Sequence, residues 1–188
     1  IAHATPVTDE SFHEEDMHSH ETIIAVVNDG KGNAAIVPGV EKLKPYIIYA
    51  NKTGNRKGME AFLSRLGAFI KQRQHSVDDI LRFMDKGDLP VADDGCIIAY
   101  KVLRSTNKQD NSPLAQGIFV DCHTGRVEQR VGCYVCQAEN LIDLSRRNEC
   151  STGLHIARRG YLGGFSGDII VMVKIRPEDV IAVPHGDA

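Results

Sequence analysis

The hydrophobic pattern along the first half of the chain is strand-like at first and then helical. Two short apolar runs, 23–27 and 34–37, are separated by a stretch rich in Asn, Asp and Gly, as in a β-hairpin. Over 56–86, apolar residues instead recur every three or four positions, and polar residues fill the positions between them. This spacing predicts two amphipathic helices that pack together as an αα-hairpin.

The second half of the chain has the short apolar runs and polar turns of a β-rich segment. Residues 96–103 are dense in β-branched side chains, which favours a central strand. Residues 117–121 and 126–131 flank a His-Thr-Gly turn and predict a second hairpin, and 169–175 predicts a further strand. Shorter elements are also expected, namely strands over 153–157 and 180–183 and a brief helix over 158–165.

The order of these elements predicts an α+β fold. An N-terminal β-hairpin and αα-hairpin would pack with a mostly antiparallel C-terminal sheet. We divide the chain into an acidic, His-rich flexible arm over 1–20, a small subdomain with the β-hairpin and helical hairpin over 21–88, and a mixed, mainly-β domain over 89–188. The total of 188 residues suits one compact domain, or one domain with a short appendage.

The composition narrows the classes of partner. The formal net charge is −3, Trp is absent and only 6% of the residues are aromatic. No nucleic-acid partner is therefore expected, because nucleic-acid surfaces are basic and often use aromatic side chains for base stacking. No apolar run approaches the roughly 20 residues that a membrane-spanning helix needs. The five cysteines are an odd number, which is a poor disulfide framework and indicates a reducing cytoplasm.

Charge is unevenly distributed along the chain. The first 30 residues contain seven carboxylates and no Lys or Arg, whereas the remainder contains 18 carboxylates and 22 Lys or Arg. An acidic arm with four of the eight histidines therefore precedes a mildly basic body. The arm is expected to be a solvated tail, and the alternative is that it docks on a basic surface of the same or another subunit. No signal peptide is visible, and a start at Ile1 indicates a fragment or the product of processing.

Cys133-x-x-Cys136 is the most conspicuous chemical motif. With Cys150 and His155 it supplies the four thiolate and imidazole ligands that a structural zinc ion takes. However, the second pair is spaced more loosely than a duplicated C-x-x-C, and residues 131–136 also fit a strand, in which positions three apart face opposite sides. Ordinary buried thiols are therefore the favoured interpretation, and no cofactor is expected.

Catalytic motifs are mostly absent from the sequence. It contains no G-x-x-x-x-G-K-[ST] phosphate loop, no G-x-G-x-x-G fingerprint and no H-E-x-x-H zinc motif. Residues 163–167 approach a nucleophile elbow but lack its spacing. A protein that acts by binding is therefore expected in preference to an enzyme.

Two segments resemble a known family. The first is 89–101, Leu-Pro-Val-Ala-Asp-Asp-Gly-Cys-Ile-Ile-Ala-Tyr-Lys. The second begins with Cys-Ser-Thr-Gly-Leu-His-Ile-Ala at 150–157 and continues through Tyr161 to Val-Lys-Ile-Arg-Pro-Glu-Asp-Val-Ile-Ala-Val-Pro at 173–184. Both resemble the rIIB proteins of T-even-type bacteriophages, and the resemblance extends in order over about 23–184. The chain is shorter than full-length members of that family, and its C-x-x-C pair is not part of the family pattern.

The resemblance implies a phage accessory protein in the cytoplasm of the infected bacterial host. Members of the family act with a large partner, rIIA, at the inner membrane, where they govern lysis timing (lysis inhibition) and counter host exclusion systems. An rIIA-like protein, or another phage or host protein, is therefore the expected partner, and membrane association would be peripheral and pass through that partner. The resemblance implies no reaction.

The residues themselves, apart from the family resemblance, support a separate hypothesis of a small ligand site. Tyr100 and Lys101 end the predicted central strand, and His155 and Arg158 lie near a polar loop and the short helix. If these segments are neighbours, the four side chains converge on an anionic, nucleotide-like ligand. The alternative is that His155 is a hydrogen-bonded core residue that holds the adjacent loop.

Three functional classes follow from the sequence. The leading one is a non-enzymatic accessory protein that acts through protein–protein contacts in lysis timing or counter-defence. The second is a processed structural component of the virion, in which the acidic arm bridges copies of a homo-oligomer. The third is a nucleotide or small-anion binding protein, or a transferase-like enzyme, that uses Lys101 and His155.

Overall fold

Helices pack against a small two-stranded sheet and a larger four-stranded sheet, both antiparallel. This arrangement confirms the predicted α+β class, with a β-hairpin and a helical hairpin ahead of a C-terminal antiparallel sheet. The predicted arm over 1–20 lies outside the described residues, and the boundary between 88 and 89 stays a prediction. The computed structural model of the protein describes residues 22–72, 74–87, 89–106, 117–148 and 151–186.

Strands β1 (Val26–Asn28) and β2 (Ala34–Ile36) form the predicted N-terminal hairpin. Asp29 holds the loop between them, because its buried carboxylate accepts hydrogen bonds from the backbone amide and the side-chain amide of Asn33 at 3.0 and 3.1 Å. The same carboxylate pairs with Lys71. One side chain therefore closes the hairpin and ties it to the helical part of the chain.

Helices follow the first hairpin, with the bounds α1 (Lys44–Thr53), α2 (Lys57–Phe69) and α3 (Gln74–Gly87). Helices α2 and α3 are the predicted αα-hairpin, and their outer ends lie within one residue of the predicted bounds. Helix α1 was not predicted, although Tyr46, Ile47 and Ala50 recur at helical spacing and pack on the core. Its ends do carry helix signals, Pro45 in the first turn and Gly54 in the left-handed conformation after the last.

The apolar faces of α2 and α3 form the larger part of the hydrophobic core. Phe62 and Leu66 of α2 are completely buried, as are Leu81 and Met84 of α3. The same core continues into the C-terminal part of the chain, where it includes Leu89, Ile97, Ala99 and Val183. Residues from both sides of the predicted boundary therefore share one core.

The larger sheet has the strand order β5-β4-β3-β6, and each neighbouring pair is antiparallel. Strand β3 pairs with β6 over 97–103, but with β4 only over 103–105. The middle of β3 is therefore not covered by β4, and a different segment of the chain lies there. The strands are β3 (Ile97–Ser105), β4 (Ile118–Asp121), β5 (Glu128–Arg130) and β6 (Ile169–Ile175).

The segment beside the middle of β3 is attached by one bridge. Tyr100 N–H donates to the carbonyl of Ala157 at 2.9 Å, and Ala157 N–H donates back at 2.8 Å. The expected strand over 153–157 is thus reduced to a single bridged residue. The expected strand over 180–183 is absent, because this apolar run is not in a ladder and instead places Val183 in the core. The brief helix expected near 158–165 is a 3-10 helix, Arg159–Gly164.

Candidate functional site

A cavity of about 380 Å³ lies beside the middle of β3, where β4 does not pair with it. Its lining comes from β3, from the β4–β5 hairpin with its turn at 121–124, and from the segment 151–157. Phe165 also lines it. Small-molecule sites in proteins have volumes of roughly 300–1,000 Å³, so this cavity is large enough for a compact ligand.

Three of the four residues predicted to form a ligand site line this cavity, namely Tyr100, Lys101 and His155. The Lys101 ammonium donates a hydrogen bond to the backbone carbonyl of His155, with an Nζ–O distance of 2.8 Å. The bridge between Tyr100 and Ala157 holds the two segments side by side. The structure thus brings these three residues together, and their role in binding a ligand stays a prediction.

Arg158, the fourth predicted residue, does not line the cavity. Its guanidinium donates to the carbonyl of Lys86 in α3 at 3.3 Å. Arg158 has an extended backbone, and positions three apart in an extended segment face opposite sides, which separates it from His155. The next residue, Arg159, places its guanidinium carbon 5.5 Å from the centre of the Tyr100 ring, a cation–π distance.

A chain of ring contacts borders the cavity. The ring centres of His123 and His155 are 5.4 Å apart, and those of His123 and Phe165 are 5.8 Å apart, both with edge-to-face geometry. Tyr161 continues the chain, 5.6 Å from Phe165. Such edge-to-face pairs stabilise one another by roughly 0.5–1.5 kcal/mol beyond the burial of their area. His155, His123 and Phe165 therefore form an aromatic wall along the cavity.

The turn between β4 and β5 is shaped by Asp121. Its carboxylate accepts hydrogen bonds from the Thr124 hydroxyl and from the backbone amides of His123, Thr124, Arg126 and Val127. Burial by itself would raise the pKa of this carboxyl, but the hydrogen bonds outweigh burial and hold its pKa well below the ordinary value. The carboxylate is thus committed to the turn.

Gln129 is one of the lining residues that the sequence did not reveal. It lies in the middle of β5 and is only 7% exposed, whereas its neighbours Glu128 and Arg130 are exposed. Its side-chain nitrogen Nε2 is buried and has no hydrogen-bond partner among the described residues. A signal was available, because the two-residue period of a strand places Gln129 on the same face as Val127 and Val131.

Burial also lowers the pKa values of two side chains of the predicted ligand site, Lys101 and His155. Desolvation lowers the pKa of the Lys101 ammonium, although Cys122 and Asp121 oppose the shift. Desolvation likewise lowers the pKa of the His155 imidazole, and the neighbouring His123 and Lys101 lower it further. Both positive charges are therefore costly in the cavity unless an anion compensates them.

A hydrogen-bonded loop around Asp143 holds the part of the cavity lining that contains Ser151 and Thr152. The Asp143 carboxylate accepts from the hydroxyl of Ser151, the side-chain amide of Asn148 and the backbone amide of Ser145, and these bonds lower its pKa to about 2. Its own N–H donates to the carbonyl of Thr152 at 2.9 Å. Ser151 and Thr152 both line the cavity, so this loop positions them.

The cysteine motif is described only in part. Cys133 and Cys136 are free and exposed thiols, and Cys150 lies outside the described residues. In the ranges that the structure describes, no three His, Cys, Asp or Glu side chains are grouped so as to hold a metal ion. The set Cys133, Cys136, Cys150 and His155 therefore stays a prediction as a zinc site. The expectation of buried thiols at Cys133 and Cys136 is wrong, because this stretch forms an exposed loop in place of the expected strand.

An apolar strip, formed by Ile170 and Met172 of β6, lies at the other edge of the larger sheet. Strand β6 is the last strand in the sheet order, and its residues alternate between half-buried and exposed positions. On the exposed face, Ile170 and Met172 are 61% and 73% exposed. At the end of the strand, Arg176 places its guanidinium carbon 5.5 Å from the ring centre of the exposed Tyr134.

No helix within the described parts of the chain has both the length and the apolar character needed to cross a bilayer. The predicted peripheral attachment to a membrane through a partner stays a prediction.

Comparison with known proteins places this fold in a family. A family model described as Bacteriophage T4 protein rIIB matches residues 59–187, which include all but the first two residues of α2, and α3, the larger sheet and the cavity. The chain is also 26% identical over 113 residues to Protein rIIB of Enterobacteria phage T4, and the match covers 59% of this chain and 32% of that protein. The chain thus spans about a third of the length of that curated relative. No solved structure matches the chain. Since the family model covers more than half of it, the chain belongs to the rIIB family of bacteriophage proteins.

Proposed function

We propose that this chain is a non-enzymatic phage accessory protein that acts by protein–protein contact in the infected bacterium. Its role would be in lysis timing, that is lysis inhibition, or in countering host exclusion. The family match supports the phage origin of this role. The observation that favours contact with another protein is the apolar strip on β6.

Strand β6 has the features of an interaction edge. Its outer backbone groups are not paired in a ladder within the described residues, and an unpaired edge is a template for another chain. Beside this edge, Ile170 and Met172 expose large apolar side chains. Methionine is common at protein-binding surfaces because its unbranched chain adapts to a partner. The strip therefore combines backbone hydrogen-bonding groups with apolar area, as in β-strand addition.

We propose an rIIA-like protein of the same phage as the partner on this strip. In this proposal the chain reaches the cytoplasmic face of the inner membrane through that partner. The family relationship alone supports this choice of partner. The experiment therefore has to test the partner and the surface together.

Substitution at Met172 tests the surface. The Met172→Asp change places a charge in the strip, and we expect it to weaken co-purification of the co-expressed rIIA-like protein at least about tenfold. Ile36→Asp is the matched control, because Ile36 is 67% exposed on β2 of the other sheet, and this variant should co-purify normally. Melting curves of both variants verify that each is folded. Undiminished co-purification of the Met172→Asp variant would reject this surface.

Phage genetics tests the role. A phage that carries the Met172→Asp change in its full-length protein should lyse its host earlier than the parent, whereas the Ile36→Asp phage should keep the parental timing. If the two phages lyse at the same time, the strip has no part in lysis control. Mass spectrometry of purified particles provides a further check, since a lysis regulator should be absent from the virion.

A further inference from the structure

We propose that the cavity beside β3 binds a small organic anion in which a carboxylate or phosphate group is attached to a flat ring. This inference concerns a different surface from the strip on β6 and does not depend on the identity of the protein partner. It rests on the unpartnered amide of Gln129, on the charge of Lys101 and on the aromatic wall.

The Gln129 side chain contributes a buried polar group to the cavity lining. Gln129 is only 7% exposed, and its Nε2 has no hydrogen-bond partner among the described residues. Leaving such a donor buried and unpaired destabilises the folded protein. Buried polar groups in native proteins are nearly always paired, so an unpaired one that lines a cavity indicates a ligand with acceptor atoms.

Lys101 supplies the positive charge. It is the one Lys or Arg among the lining residues that the structure describes, and its bond to the His155 carbonyl leaves two of its three N–H donors for a ligand. The nearby Asp121 carboxylate is occupied by five hydrogen bonds of its own turn. A bound anion would therefore pair with a desolvated ammonium that has few competing partners.

The donor set favours an anion over a cation. Both Lys101 Nζ and Gln129 Nε2 offer hydrogens, whereas the carboxylates near the cavity, Asp121 and Asp143, are each engaged by at least three donors of their own loops. Carboxylate or phosphate oxygens are acceptors suited to both of these donors. A volume of about 380 Å³ also exceeds the roughly 30 Å³ of one water molecule, so there is room for more than an ordered water.

The aromatic wall sets the shape of the rest of the ligand. The His123 ring lies between those of His155 and Phe165, with ring-centre separations of 5.4 and 5.8 Å. Val127 and Leu154 add apolar lining. Flat rings stack favourably on such surfaces. The anionic end of the ligand would therefore lie toward Lys101 and Gln129, and its ring would lie against the wall.

Binding of two ring-bearing anions, benzoate and phenyl phosphate, tests the proposal directly. We expect each to bind the folded chain at millimolar or lower concentration and to shift the NMR signals of the Gln129 side-chain amide and the His123 and His155 rings. Benzamide, which has the ring without the charge, and inorganic phosphate, which has the charge without the ring, should each bind at least about tenfold more weakly. The absence of binding by both ring-bearing anions would overturn the proposal, and equal binding of inorganic phosphate would overturn the role of the ring.

Gln129→Leu separates ligand binding from a structural role. This change removes the unpaired donor and keeps the volume, so we expect binding to weaken about tenfold while the melting temperature stays equal or rises. Gln72→Leu, at an exposed position after α2, is the control and should leave binding unchanged. A Gln129→Leu variant that melts lower and binds normally would show that the amide serves the fold and not a ligand.

Lys101→Met gives a second, independent test of the anionic end. The methionine keeps most of the aliphatic stem and removes the charge, so binding of phenyl phosphate should fall by more than binding of benzamide. An equal loss for the charged and the uncharged compound would mean that Lys101 shapes the cavity without pairing with an anion.

Discussion

The helical region of this molecule buries its apolar side chains more completely than the edge strand β6 of the sheet region does. In α2 and α3, Phe62, Leu66, Leu81 and Met84 are completely buried. In β6, by contrast, half-buried positions alternate with exposed ones, and Met172 is 73% exposed. Burial of apolar area is the dominant favourable term in folding. Helices α2 and α3 should therefore contribute more to stability than β6, and β6 carries apolar surface that is available for binding.

Truncation of one large side chain in each region is the strongest test of this comparison. Phe62→Ala should lower the free energy of unfolding by about 3–5 kcal/mol, because it leaves a cavity in a close-packed core. Met172→Ala should change it by less than about 0.5 kcal/mol, because the side chain is already mostly in water. Urea denaturation of the two variants measures both values. Similar losses would show that β6 is buried in solution, for example by self-association.

The ion pair between Arg146 and Asp79 connects the two regions, and its loss should have an intermediate effect. Asp79 of α3 is 4% exposed, and its carboxylate accepts from the Arg146 guanidinium at 2.6 Å. Arg146 also donates to the carbonyl of Val183 at 3.2 Å. Burial raises the pKa of Asp79, and Arg146 opposes that shift. Arg146→Met should therefore destabilise the fold by about 2–4 kcal/mol at neutral pH, because the carboxylate stays buried without its cation.

A double variant sharpens that result. Adding Asp79→Leu to Arg146→Met removes the stranded carboxylate and should recover most of the lost free energy of unfolding. Chemical denaturation of the single and the double variant provides the comparison. If the double variant is no more stable than the single one, the Arg146 side chain acts through its packing and its bond to Val183.

The smallest expected effect is the pH dependence contributed by His155. Its pKa in the folded state is lower than the ordinary value of about 6.5, so the unfolded chain takes up a proton first as the pH falls. The contribution of His155 to the free energy of unfolding is therefore fully present above a pH of about 6.5. It is lost as the pH falls from there toward the folded-state pKa. We expect His155→Gln to reduce the loss of stability between about pH 7 and pH 5 by less than about 1 kcal/mol. An unchanged pH profile would mean that the imidazole is solvated.

The helical hairpin was predictable because its signal is local and repeated. Each turn of α2 and α3 places another apolar residue at the same three- or four-residue spacing, and burial follows that spacing. Helix α1 shows the limit of this signal, since it is short and only Tyr46, Ile47 and Ala50 repeat the helical spacing. Its terminal Pro45 and Gly54 are the further signals of a helix.

The cavity was predictable only in part, because its walls are distant in the sequence. Lys101 and His155 are 54 positions apart, and the assumption that their segments are neighbours was enough to place them together. Gln129 is a polar residue between the charged Glu128 and Arg130, so only its two-residue spacing from the valines on either side marks it as the inward residue. Arg158 does not line the cavity, and the sequence does not reveal this, because the direction of its side chain depends on the extended backbone that follows Ala157.

The bridge between Tyr100 and Ala157 attaches one segment of the cavity lining to β3, and hydrogen exchange can follow this attachment. Two backbone hydrogen bonds, at 2.9 and 2.8 Å, connect the segment that ends at Ala157 to β3. If this segment separates from β3, both amide protons become free to exchange with deuterium, while their neighbours in the β3–β6 ladder stay protected. The exchange rates of these two amides relative to the ladder would therefore report how often a compound can enter, without the compound being present.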